Sequence, residues 1–356
     1  MLHTRITELF GIKHPILLAG MNQVTNPEIV AAVSNAGGLG VLAVSGFTLD
    51  ETRRYIKEIR ELTDKPFGIN QALIRPLAKE KISIAIEEKV PVICYSLGKP
   101  WFIDRVHEYG GKVVGTVALS KHAAKAAELG VDAIIVIGHE AAAHGGNVTS
   151  LVLIPIVSSM VKIPLIAAGG FSDGRGLAAA LVLGADAVGM GTRFMVTQEC
   201  RVKDPFKQLI LRATEEDTYY SDAFDGLPTR ALKSPASEEM MRKGSHLSSW
   251  ISSALVVKRM MSLSWWEFLQ ASWKMRKGEE RLGLFQQALL ADHVMRQAKA
   301  IEGDVANGIL LAGQSSGSIN DVPTCQELID RIVAQAEEVL REVQAMRVPG
   351  SVDGTA

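Results

Sequence analysis

Two stretches in the middle of the chain decide the fold: Ile163-Pro-Leu-Ile-Ala-Ala-Gly-Gly-Phe-Ser-Asp-Gly-Arg-Gly176 and Asp186-Ala-Val-Gly-Met-Gly-Thr-Arg-Phe194. Each starts as a short, unbroken apolar run and ends in glycines. An unbroken run, unlike the alternation of a half-exposed strand, marks a strand covered on both faces, as in a parallel sheet. The same unit recurs upstream at 15–20, 38–43, 66–70, 90–95, 112–117 and 133–138, so that with 164–170 and 187–192 there are eight runs. Between them, 28–36, 49–62, 121–129 and 175–183 carry apolar residues at helical spacing, with Gly37, Gly130 and Gly184 where helices would stop. Eight strand-then-helix units predict an α/β protein, a (β/α)8 TIM barrel. The rival, an open doubly wound sheet, usually shows its G-x-G-x-x-G after the first strand. Here the glycine-rich turns follow runs seven and eight, where a barrel builds its phosphate site.

After Thr192 the rhythm breaks for about 110 residues. The predicted plan is therefore a barrel over 1–200, a helical insertion or substrate-side subdomain over 201–305, and a return segment with a final helix over 306–356. Trp250, Trp265, Trp266 and Trp273 fall in the insertion, and 247–261 and 265–277 read as helices with one apolar face. They are expected to pack on the open face of the barrel, with an adaptable acyl- or partner-binding surface as the other reading. Thr324-Cys-Gln-Glu327 has capping-box spacing and opens a last helix to about Met346.

Composition sets the outer limits. The 356 residues carry 38 Lys+Arg against 39 Asp+Glu, a formal charge of −1 that gives no electrostatic case for nucleic acid. Cys94, Cys200 and Cys325 are far apart, which argues against a disulfide framework or a zinc site and for a reducing, cytoplasmic setting. The opening residues lack the pattern of a signal peptide. The most membrane-like stretch, 151–171, holds two prolines, Lys162 and a Gly pair, so it reads as helix, turn and strand rather than a membrane span.

Gly169, Gly170, Gly191 and Thr192 form a candidate phosphate cradle, because backbone N–H groups at strand ends can approach an anion where no Cβ intervenes. Within Ile137-Gly-His-Glu-Ala-Ala-Ala-His-Gly-Gly146, His139 and His144 are five residues apart, not the four that place two zinc ligands on one helical face, so no metal is expected. His144, on a loop with small neighbours, could lie over a bound ring and exchange protons. The plainer reading is a histidine that satisfies loop carbonyls.

Together these segments resemble the FMN-dependent nitronate monooxygenase (2-nitropropane dioxygenase-like) family, which is related to flavin-dependent enoyl-ACP reductases. The likeness is carried by His14-Pro-Ile-Leu-Leu-Ala-Gly-Met21, Asn35-Ala-Gly-Gly-Leu-Gly40, Pro66-Phe-Gly-Ile-Asn70, Glu140-Ala-Ala-Ala-His-Gly-Gly146, the glycine-rich segment 168–176 and Met190-Gly-Thr-Arg-Phe194. It covers nearly all of 5–200 and resumes at 305–345. The resemblance implies that Gly20, Met21 and Asn22 lie against an FMN ring, that Asn70 bonds it, and that Ala142 walls it. It also implies that Gly169, Gly170, Gly191 and Thr192 hold the phosphate, and that Gln314 approaches from the return segment. His144 matches the family's active-site histidine, which positions the nitro group or removes the α-proton. The implied reaction is oxidation of alkyl nitronates by O2. The alternative is an NAD(P)H-dependent reductase of an enoyl thioester or quinone, and a homodimer is compatible with either. Two departures favour that alternative or alter the site: the position where many of the oxidases carry a lysine after the fifth strand falls in Val114-Gly-Thr-Val117, and Ala141-Ala-Ala143 replaces the usual Ala-Gly-Gly.

Overall fold

The computed structural model describes residues 2–243, 264–267, 269, 270, 273 and 284–346. All eight expected runs are strands: β1 (Ile16–Leu18), β2 (Gly40–Ala43), β3 (Phe67–Ala72), β4 (Val92–Ser96), β5 (Lys112–Val117), β6 (Ala133–Ile137), β7 (Leu165–Ala168) and β8 (Ala187–Met190). They pair in parallel in the order β1-β8-β7-β6-β5-β4-β3-β2. Leu39 closes the cylinder between the outermost two. Its N–H donates to Ile16 O at 3.0 Å and its carbonyl accepts from Leu18 N at 2.9 Å.

Neighbouring residues of one strand enter different cores, which explains the unbroken apolar runs. Leu17, Val41, Val92, Cys94, Val114, Ala133, Ile166 and Ala187 fill the barrel interior. Ile16, Leu18, Leu42, Ile69, Ile93, Val113, Ile134 and Val188 face the surrounding helices. An N-terminal helix not anticipated from the sequence, α1 (Arg5–Phe10), adds Ile6 and Phe10 to the interior cluster. The Arg5 guanidinium anchors α1 by donating to both oxygens of Asp186 at 2.8 and 2.7 Å.

The outer helices are α2 (Pro27–Asn35), α3 (Leu49–Leu62), α4 (Ala78–Glu87), α5 (Ile103–His107), α6 (Ser120–Glu128), α7 (Ser150–Met160) and α8 (Gly174–Val182). The four helices expected by number appear within one residue at each end. The stretch 151–171 is α7, a turn and β7, and among the described residues no helix is long and apolar enough to cross a membrane. The three cysteines are buried and free.

Beyond β8 come α9 (Thr192–Met195), α10 (Asp204–Arg212), β9 (Thr218–Ser221), β10 (Thr229–Leu232), α11 (Pro235–Lys243) and α12 (Leu284–Ile301), then α13 (Cys325–Ala345). The insertion is thus not purely helical, because β9 and β10 form an antiparallel hairpin. Of the two apolar helices expected there, 247–261 lies outside the described residues. Of 265–277, residues 268, 271, 272 and 274–277 also lie outside the described residues, and Trp265, Trp266, Leu269 and Trp273 are exposed. The last helix starts as expected, with Thr324 and Glu327 forming a capping box, and it docks on α8 and α2.

Candidate active site

The loops after the strands gather at one end of the barrel. Gly20, Met21 and Asn22 follow β1 beside Asn70 of β3. A Cβ at Gly20 would fall 2.7 Å from Asn70 Cβ, so only glycine lets this loop lie against β3. Asn22 Oδ1 and Asn70 Oδ1 are buried acceptors with no hydrogen-bond partner. Buried polar atoms are nearly always satisfied, so two orphans at one strand-end cluster point to a ligand that supplies donors.

Gly169 and Gly170 turn the chain after β7 with φ of +98° and +87°, left-handed values that favour glycine. The Gly169 carbonyl accepts from Ser150 Oγ at 2.7 Å, and the Glu140 carboxylate accepts from Ser150 N at 2.9 and 3.1 Å. The return segment is tied to the same loops: Gln314 N donates to Glu140 O at 2.9 Å, and Gly313 N donates to Thr192 Oγ1 at 2.9 Å. Met21 reaches this side as well, with its Sδ 3.4 Å from where a Cβ at Gly191 would stand. The fold therefore brings together Gly20, Met21, Asn22 and Asn70 on one side, and Ala142, Gly169, Gly170, Gly191, Thr192 and Gln314 on the other.

His144, on the loop after β6, stands against the hairpin. Its neighbour Ala143 has φ +56°, a left-handed value costly for alanine, and is held there by two backbone bonds with Arg230: Ala143 N to Arg230 O at 3.2 Å and Arg230 N to Ala143 O at 3.0 Å. Further stitches come from the Arg230 guanidinium, which donates to His139 O and Thr218 Oγ1, and from Tyr220 Oη, which donates to Gly145 O at 2.7 Å. His139 braces the loop. Its Nδ1 is 2.9 Å from Gly146 O, and its ring sits edge-on to Tyr220.

The hairpin also carries two residues that sequence reading missed. Asp225 Oδ2 lies 3.1 Å from His144 Nε2, with the Asp225 side chain 2% exposed. Thr229 Oγ1 donates to Asp225 Oδ1 at 2.8 Å and is 3.3 Å from His144 Nδ1. Arg75, on the loop after β3, and His293, on α12, complete the charged neighbourhood. Burial pushes the pKa of both down, while the charge of Asp225 pushes both up. The available signal was Asp225-Gly226 between two short β-prone stretches, a hairpin-turn pair.

The nitronate monooxygenase family model matches residues 3–81 and 76–335, most of the chain. The chain belongs to the nitronate monooxygenase family. It is an enzyme of this oxidoreductase family, as its motifs implied. Similarity to a Rhodococcus jostii (3aS,4S,5R,7aS)-5-hydroxy-7a-methyl-1-oxo-octahydro-1H-indene-4-carboxyl-CoA dehydrogenase is 39% identity over 351 residues, covering 97% of this chain and 99% of the relative. A probable nitronate monooxygenase of Staphylococcus saprophyticus is 32% identical over 280 residues, covering 65% of this chain and 79% of the relative. Among solved structures, FabK from Thermotoga maritima superposes with a TM-score of 0.81 at 34% identity, covering 98% of this chain and all of that one.

Proposed function

We propose that this nitronate monooxygenase family member is an FMN-dependent oxidoreductase that acts on the carbons next to the carbonyl of an acyl thioester. The observation that carries the reading is the extent of the likeness. A CoA-thioester dehydrogenase aligns over 97% of the chain, hence through most of the insertion that walls His144, whereas the staphylococcal nitronate monooxygenase aligns over 65%.

FMN fits the residues present. The orphan acceptors of Asn22 and Asn70 would meet the donor edge of the ring system, and Gly20 and Met21 would lie against it. Gly169, Gly170, Gly191 and Thr192 would hold the phosphate through backbone donors, with Ala142 and Gln314 closing the site. Bound FMN supplies a hydride acceptor or donor. In dehydrogenation His144 takes the α-proton of the substrate, and in the reverse direction it returns that proton. The hairpin of the insertion sets Asp225 and Thr229 against His144.

Oxidation of alkyl nitronates by O2, the reaction first implied by the motifs, is the second reading. It is favoured by the family model and the staphylococcal relative. Anaerobic mixing of the flavin-loaded protein with butanoyl-CoA, crotonyl-CoA plus NADH or NADPH, or propyl-2-nitronate separates the two. Under the first reading a thioester or nicotinamide changes the flavin absorbance and the nitronate does not. Rapid bleaching by the nitronate alone would replace the first reading with the second.

A further inference from the structure

We propose that Asp225, delivered by the hairpin turn, is the positioning residue of His144: it fixes the ring and stabilises the imidazolium that forms when the ring takes a proton from a neutral carbon acid. The inference rests on the base role given to His144 above and extends it to a residue of the insertion.

The geometry is that of a closed polar unit. One carboxylate oxygen of Asp225 stands against His144 Nε2, and the other accepts from Thr229 Oγ1, which in turn lies beside His144 Nδ1. Leu227 N also donates to Asp225 Oδ1 at 3.2 Å, so the carboxylate rotamer is held by its own turn. Among the described residues, His144 is the one ion-pair contact of Asp225. A carboxylate this deeply buried is costly unless a positive charge faces it. The contact is therefore worth most when the ring is protonated, which is the state that proton abstraction creates.

The other charges around the unit act on it from separate elements. Arg75, from the loop after β3, and His293, from α12 with Asp292 beside it, interact with Asp225. Positive charge on His293 and positive charge on His144 oppose each other. A substrate that is already an anion needs no base. A neutral thioester does: its α C–H bond breaks, the proton goes to His144 Nδ1, whose lone pair is not taken up by the Thr229 hydroxyl because that hydroxyl donates to Asp225, and the electron pair stays on the substrate as an enolate.

Two measurements test this on the FMN-loaded protein. In the first, histidine is labelled with 15N, the His144 signal is assigned by its loss in His144→Ala, and its titration is followed in wild type, Asp225→Asn and Thr229→Val. The expected result is a His144 midpoint lower by about one pH unit or more in Asp225→Asn, the scale of a lost close opposite charge, with a smaller drop in Thr229→Val. An unchanged midpoint in Asp225→Asn overturns the proposal, and if that variant fails to fold, Thr229→Val decides by the same criterion. In the second, exchange of the α-protons of butanoyl-CoA in D2O is followed by NMR. Asp225→Asn is expected to slow exchange roughly 10- to 100-fold in wild type and not at all in a His144→Ala background. A loss that persists undiminished in that background also overturns it. Absence of exchange in wild type counts instead against the thioester reading, and the titration still decides the role of Asp225.

Discussion

Lys81 shows at single-residue scale what burial does to charge near this site. It is fully buried on α4, and its Nζ donates to Ser45 O at 3.0 Å, behind the loop that follows β2. Burial pushes its pKa down to about 8 from the ordinary 10.5, with Arg75 adding to the effect. Between those two values the unfolded chain holds more protons than the folded one, so this group makes stability rise with pH across that window; below it the full cost of the buried charge applies. Lys81→Met is therefore expected to raise the melting temperature at neutral pH, with its advantage over wild type shrinking as pH rises from 8 towards 10.5. A difference constant across that range would contradict the assignment. Residue-scale chemistry was partly legible in the sequence. His144 and the glycines of the strand ends stand in contiguous motifs, whereas Asp225, Thr229, Arg75 and His293 reach the site from three separate segments that only the tertiary fold brings together.

Among the elements, the contact between α8 and α13 rests on one missing side chain. A Cβ at Gly174, the first residue of α8, would stand 2.4 Å from Ile332 O and 2.5 Å from Ala336 N, both backbone atoms of α13. Alanine normally stabilises a helix relative to glycine, so the sign of the effect is informative here. Gly174→Ala is expected to lower unfolding stability by about 1–3 kcal/mol, as overpacking does, measured by urea denaturation. Equal or greater stability would mean that the two helices are not in close contact. The eight strands and four of the outer helices were readable because each strand is buried on both faces and each helix keeps a regular apolar stripe. The hairpin was not, because β9 is half-buried along its whole length and β10 is buried throughout, so neither shows the alternation that marks a strand pair. α1 escaped for a related reason: it is six residues long and its two inward residues plug a barrel that sequence periodicity does not display.

For the molecule as a whole, the architecture divides labour between a scaffold and its additions. The barrel gathers the strand ends, the return segment locks onto them through Gly313 and Gln314, and the hairpin closes over His144. The net charge of −1 suits this plan. If a phosphate is held by glycine-rich backbone at strand ends, a basic surface is not required to bind it. What the sequence left open at this scale was which part of the insertion reaches the chemistry, since its tryptophans drew the eye while its hairpin does the contacting. The proposed FMN site is the end of the barrel lined by Asn22, Asn70 and the glycines after β7 and β8, and the absorption spectrum of the purified protein tests it most directly. A yellow protein that releases FMN on denaturation, about one per chain, is the predicted result; a colourless protein that cannot be reconstituted with FMN would contradict it.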